Sequence, residues 1–254
     1  MRSAVWQLQS PFDMINGIFS TFSGKAAAER GLEMVANNLA NALTAGFKAS
    51  KPVYNGSNIE GEVEADQLQQ TYVNIPYTYV HFSDGPLLQT GSSLDLAIQG
   101  KGFFVVSTPK GDIYTRDGQF TLNSDKKLVT MDGNTVTGQS GGEITIDGKK
   151  IEIGADGSIF SDGSMIDKLK IVDFTDKKSL KNFGSSLFVN EDPENTETTA
   201  QGYSIKQGYY EASNVDSVKE MVDMISAMRA FEAYTKADQA VDDSLGKLMD
   251  TVKL

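Results

Sequence analysis

Both ends of the chain carry helical periodicity, and everything between them reads as strand and turn. Residues 15–43 put Ile15, Phe22, Ala36 and Leu43 on one heptad grid and Ile18, Leu32 and Leu39 on its paired grid, the a/d pattern of a coiled coil. Residues 215–252 put Met221, Met224, Met228, Phe231, Leu245, Met249 and Val252 on one stripe, which Val218, Val222 and Ile225 widen near its start. Lys25 and Glu29 interrupt the first stripe; Thr235, Asp238 and Asp242 interrupt the second. At about 1.5 Å per residue the first helix spans roughly 40 Å. Helices this long at opposite ends of a β-rich middle cannot hide their stripes in separate small cores. They must pack on each other, on neighbouring copies, or on both.

The middle changes character. Nineteen of the 24 glycines lie between residues 50 and 210, and Asp-Gly pairs occur at 84–85, 117–118, 132–133, 147–148, 156–157 and 162–163. Asp-Gly between short apolar runs is a hairpin signal, because glycine takes the positive φ that the turn requires. The runs are 94–98, 103–107, 120–122, 128–131, 143–146, 150–153 and 169–174. The polar, acidic stretch 190–200 is expected to be an exposed, mobile loop. Ser213 or Asn214 is expected to cap the second helix, with Ser217 and Glu220 as a capping box. Gly46 is the expected stop of the first. The expected fold is mainly β: a central antiparallel β domain, with long N- and C-terminal α-helices that pack together in coiled-coil-like fashion.

Composition removes several function classes. The net charge of −11 repels nucleic acid and anionic lipid. No apolar run is long enough to span a membrane, so no membrane insertion is expected. Residues 1–13 hold one positive charge, Arg2, and scattered apolar residues, which does not read as a cleaved signal peptide. With no cysteine and one histidine, His81, thiolate sites, His-His metal sites and triads built on a second histidine are excluded. Gly100-Lys101-Gly102 runs into a strand rather than a helix and is no phosphate loop. The Asp-Gly turns lack calcium-loop spacing. The expectation is no catalytic residue, no metal and no cofactor.

Ala36-Asn37-Asn38-Leu39-Ala40-Asn41 with Thr44, Gly46, Phe47 and Lys48 resembles the N-terminal signature of the flagellar rod and hook proteins. Residues 90–104 (TGSSLDLAIQGKGFF), then Tyr114-Thr115-Arg116-Asp117-Gly118-Gln119-Phe120, are similar to that family's central motif. Gln207-Gly208, Glu211, Ser213-Asn214-Val215, Glu220-Met221-Val222, Met224-Ile225 and Arg229-Ala230-Phe231-Glu232 resemble its C-terminal motif. The motifs stand in family order from about residue 14 to the end. Ala45 replaces a usual proline and Ala42-Leu43 a common Val-Asn, which lets the first helix run slightly further. The chain length points to a rod subunit rather than the longer hook protein.

The resemblance implies a structural subunit of the periplasm-spanning rod, exported through the flagellar type III apparatus and added to a helical tube that transmits torque. Its implied partners are copies of itself, neighbouring rod proteins (the distal-rod protein FlgG and proximal-rod subunits) and the export apparatus. It implies an N-terminal extension at 1–13, an inner layer at 14–48 and 211–254, and a β-rich outer domain at 49–210. The residues expected at the assembly interface are Ile18, Phe22, Leu32, Val35, Asn37, Asn38, Leu39, Asn41, Phe47, Asn214, Val218, Met221, Val222, Ile225, Met228, Phe231 and Leu245. For Asn37, Asn38 and Asn41 a hydrogen-bond cluster inside one subunit is the alternative. A wall-cleaving enzyme and a secreted scaffold outside the flagellum are the competing classes.

Overall fold

The buried strand Phe103–Thr108 organises the β-rich middle. The computed structural model describes residues 11–53, 56–57, 72–73 and 77–252, with side chains for 20–53, 78–247 and 250. Phe103, Phe104, Val105 and Val106 are all at most 1 % exposed, because both faces of this strand are covered. Side chains alternate across a strand. Phe103 and Val105 enter a cluster with Val80, Tyr114, Val172, Phe174, Leu180 and Phe188. Phe104 enters the other, with Leu96, Ile98, Phe120, Leu128, Ile144, Ile146, Ile159 and Leu169. Each cluster has its own edge-to-face ring contact, Phe82 to Phe103 at 5.3 Å and Phe104 to Phe120 at 5.1 Å between centroids.

The main sheet is antiparallel. Its order is Leu180–Asn182, Leu187–Asn190, Gly111–Thr115, Phe103–Thr108, Thr135–Val136, Leu128–Thr130, Phe120–Leu122. Ile171–Phe174 also pairs with Phe103–Thr108 and carries Glu197–Thr199 on its other side. A smaller sheet holds Ile151–Ile153, Ser158–Ser161 and Ser164–Lys168, and Leu96–Gln99 pairs with Ser204–Gln207. Two compact units result. One consists of Asn38–Lys51 and Tyr79–Ser217; the other comprises the described parts of Met1–Asn37, Pro52–Thr78 and Val218–Leu254. The second unit holds the body of two helices, α1 (Pro11–Ala40) and α2 (Ser217–Val252), and a short ribbon, Gly56–Ser57 with Tyr72–Val73.

Several expectations change. α1 stops at Ala40 rather than Leu43. The Asn41 and Ala42 amides fall back on the carbonyls of Asn38 and Leu39, and Thr44 Oγ1 donates to Asn41 Oδ1 at 3.2 Å. Short polar side chains that bond locally end a helix. Gly46 then turns the chain at φ 67°. α2 begins at Ser217. Ser213 Oγ accepts from the Val215 amide at 3.2 Å, while the Asn214 side chain is engaged elsewhere. Residues 143–146 make isolated bridges, Thr145 with Lys127 and Glu143 with Thr137, rather than a strand. The acidic stretch 190–200 is anchored: Asn195 is 6 % exposed, its Nδ2 donates to Asp176 O at 2.7 Å, and 197–199 is a strand.

Three of the six Asp-Gly pairs, 132–133, 156–157 and 162–163, close antiparallel hairpins. In the last both residues have positive φ, 48° and 85°, the type I′ signature. Gly85 and Gly118 serve close backbone approach instead: a Cβ there would overlap the carbonyl oxygens of Ala212 and Leu96. Replacing Gly118 with Ala therefore requires backbone movement, whereas the nearest atom to a Cβ on Gly142 is Ser140 Oγ at 3.9 Å. Gly118→Ala is expected to cost more than about 2 kcal/mol and Gly142→Ala less than about 0.5 kcal/mol, read from urea unfolding midpoints.

Candidate assembly interface

The segments flanking the two helices converge on one carboxylate. Glu211 is 1 % exposed. Its Oε1 accepts from Lys48 Nζ at 2.5 Å and from the Gly85 amide at 2.7 Å; its Oε2 accepts from Arg116 Nη1 at 3.2 Å. Lys48 Nζ also donates to Ser83 O at 2.7 Å, and Arg116 Nη2 to Gly100 O at 2.7 Å. The Arg116 guanidinium stands 5.5 Å from the Phe103 ring centroid. Around this node the Gly46 amide donates to Glu211 O at 2.7 Å. Asn214 Oδ1 accepts from the Ala49 amide at 2.7 Å while its Nδ2 donates to His81 O at 2.8 Å. Asn38 exchanges two 2.9 Å bonds with the Ser50 backbone. Burial lowers the Lys48 pKa, and the opposing pull of Glu211 does not offset it. The charged lysine is thus held at a cost, and what it contributes is one defined arrangement of the chain.

Several of the expected interface residues are buried. Phe47 is fully buried, Asn38 is 1 % exposed and Val35 is 5 % exposed, so their side chains are occupied within the chain. Asn214 spends its amide on the β-rich unit, and Asn41 accepts from Thr44. Asn38, Asn41 and Asn214 thus each bond within the chain; Asn37 is exposed. The Ile18 side chain lies outside the described residues. Lys48, Arg116 and Glu211 were not among the expected site residues, although each stands in one of the three family motifs. Lys48 follows Phe47 and Glu211 precedes Ala212, but Arg116 lies between Thr115 and Asp117, so no common local pattern marks the three.

The helices present two kinds of face. On α2, Met224, Phe231, Tyr234, Asp238 and Leu245 are half-buried. The stripe beside them is open: Val218 is 70 % exposed, Val222 58 %, Ile225 52 %, Met228 48 % and Met221 47 %. The single methionine stripe expected from the sequence is therefore split. On α1, Leu32 and Leu39 are half-buried, whereas Phe22 is 66 % exposed; Leu43, just beyond the helix, is 96 % exposed. Of the two heptad grids, only the one through Leu32 and Leu39 turns inward. The interrupting charges answer each other, with Lys25 Nζ 3.0 Å from Asp238 Oδ2.

No group of three or more His, Asp or Glu residues among the described residues is placed to hold a metal ion, and no described helix is long and apolar enough to cross a membrane. Asp117, beside the junction, is raised to about 6, first by burial and then by Asp132 and Asp95, against a bond from the Gln119 amide.

Glu211→Gln leaves the buried Lys48 and Arg116 with only the largely exposed Asp84 carboxylate, 3.8 Å from Arg116 Nη1, as counter-charge, and is expected to cost about 3 kcal/mol. Lys48→Met leaves the Glu211–Arg116 pair and should cost less, a ranking that chemical denaturation tests. For Asp117 the native state binds its proton more tightly than the unfolded chain. The stability it contributes is therefore greatest below pH 4, falls between about pH 4 and 6, and is flat above. Asp117→Asn should raise stability by about 2 kcal/mol at pH 7.5 and by almost nothing at pH 4, measured as Tm at both values.

Three family models match in the order of the motifs. Residues 22–48 match the flagella basal body rod protein, 97–161 the flagellar hook protein FlgE/F/G D1 domain, and 206–251 the flagellar basal body rod FlgEFG protein C-terminal region. The chain is 32 % identical over 222 residues to flagellar basal-body rod protein FlgF of Mesorhizobium japonicum, covering 86 % of this chain and 90 % of that protein. It is 34 % identical over 237 residues to FlgF of Caulobacter vibrioides, covering 88 % and 92 %. It is 33 % identical over 257 residues to FlgG of Buchnera aphidicola subsp. Schizaphis graminum, covering 92 % and 99 %. The motifs that supply Asn38, Lys48, Arg116 and Glu211 to the junction lie within or beside the matched regions, and the chain belongs to the FlgF/FlgG family of flagellar rod proteins.

Proposed function

We propose that the chain is a structural subunit of the flagellar basal-body rod, with no catalytic role. The observation that carries this reading is the open apolar stripe Val218, Met221, Val222, Ile225 and Met228 on a 36-residue helix, each 47–70 % exposed in the single chain. Adaptable methionines suit contacts with neighbours that differ from one another. Head-to-tail contacts between such subunits extend a helix rather than close a ring.

In this reading residues 14–48 and 211–254 form the inner layer of a torque-transmitting tube, their helices packing coiled-coil-like against those of neighbouring subunits. Residues 49–210 form the outer layer, and 1–13 are an extension. Phe22, Leu32, Leu39, Phe231 and Leu245 join the open stripe at the interfaces. The partners are further copies, FlgG and the proximal-rod subunits. The type III export apparatus carries the chain out, and the assembled rod spans the periplasm. The short stretch from Phe47 to Gly85 favours an FlgF-type subunit; FlgG is the alternative, and relatives of both names match over nearly their whole length.

Ile225→Asp tests the reading. Because Ile225 is 52 % exposed, the isolated variant should unfold within about 0.5 kcal/mol of the parent. Cells carrying it should not swim, and their basal bodies should show a truncated rod without a hook. The point of truncation separates FlgF from FlgG. Normal swimming would refute the reading.

A further inference from the structure

We propose that Gly24 and Tyr234 form a register lock between α1 and α2, with Lys25–Asp238 as its polar latch; this rests on the rod-subunit reading, because register matters only if both outward faces must meet neighbours. A Cβ on Gly24 would overlap the Tyr234 ring, at the Cε1, Cζ and Cδ1 atoms. The aromatic ring therefore occupies the space that any other residue at 24 would fill. Glycine inside a helix costs about 0.5–1 kcal/mol relative to alanine, and at position 24 the Tyr234 ring fills the space that an alanine methyl would need. Gly31, one heptad further along the same helix, supplies the contrast: a Cβ there would meet no atom within 4 Å. The latch is an independent contact one residue on from Gly24 and one turn on from Tyr234, at 3.0 Å with both side chains about one-third exposed.

The lock selects rather than clamps. A half-exposed ion pair contributes little stability, but a ring seated on a glycine fits at one axial offset only. A slip by one residue moves a helix by about 1.5 Å and rotates its faces by about 100°. Such a slip would carry Phe22 and the Val218–Met228 stripe out of their common arrangement. Two of the charges that interrupt the apolar stripes, Lys25 and Asp238, thus acquire a role: they mark the register at which the helices meet.

The chain has no cysteine, so cysteines placed at the exposed positions Arg30 and Ala233 give unique sites for nitroxide labels on the full-length protein. The expected result is one narrow label–label distance in the otherwise unsubstituted chain. Gly24→Leu should shift it by at least about 1.5 Å, one residue's rise, or double its width. Gly31→Ala should leave it unchanged, and adding Tyr234→Ala to Gly24→Leu should restore a narrow distribution. The lock is overturned if the unsubstituted chain shows no single distance, if Gly24→Leu leaves the distance unchanged, if Gly31→Ala perturbs it equally, or if Tyr234→Ala gives no rescue. Swimming of the same variants separates the two readings. Distances that respond as expected with swimming intact uphold the lock and refute the rod role. Distances indifferent to residue 24, with Ile225→Asp still abolishing swimming, refute the lock alone.

Discussion

The Glu211 carboxylate is the interaction on which the rest of the structure depends. It receives a lysine that follows α1, an arginine from the sheet and a backbone amide from the Asp84-Gly85 turn, all out of water. Each donor belongs to a segment far away in sequence, so the node forms only when the segments around Lys48, Gly85, Arg116 and Glu211 have arrived together. The depressed Lys48 pKa shows that desolvation outweighs the attraction. Apolar residues of the same shape would fill such a site at no electrostatic cost. What they would lose is direction: a carboxylate with fixed donors accepts one arrangement, whereas an apolar contact tolerates many.

Around that node the protein divides its apolar surface into two uses. The β-rich unit covers both faces of its central strand, although Leu43, Leu88, Met131, Met165, Ile166 and Phe183 stay open. The helical unit instead lines up most of its open apolar side chains along one helix. Its paired contacts are a ring on a glycine and a screened ion pair, and a full stripe on α2 faces solvent. Helices gain most of their stability from packing an amphipathic face. A helix with an uncovered stripe is therefore incomplete until another surface covers it. A rod subunit requires this property, since a chain that satisfied its own helices would have no drive to add to a neighbour.

Much of this architecture was legible in the sequence. The heptad grids located both helices, and the run Phe103-Phe104-Val105-Val106 located a strand buried on both faces. Errors cluster where side chains compete with the backbone. Asn38, Asn41 and Thr44 end α1 early, and Asn195 anchors a stretch whose acidity suggested a loop. Half of the Asp-Gly pairs close hairpins; Gly85 and Gly118 are there because another carbonyl lies against them. Local pattern does not distinguish the two roles, since both need a residue without Cβ.

The sequence by itself determined the periodicities, the motif order and hence the family, because these are properties of neighbouring residues along the chain. Only the tertiary structure decided which heptad grid turns inward, which methionines stay open, and that Lys48, Arg116 and Glu211 share one buried node. Those outcomes depend on contacts between residues separated by up to 213 positions. Lys25 and Asp238 read as two defects in separate stripes until folding brings them within 3.0 Å of each other. A charge on an apolar stripe has no meaning along the chain; its meaning comes from the charge it meets across space.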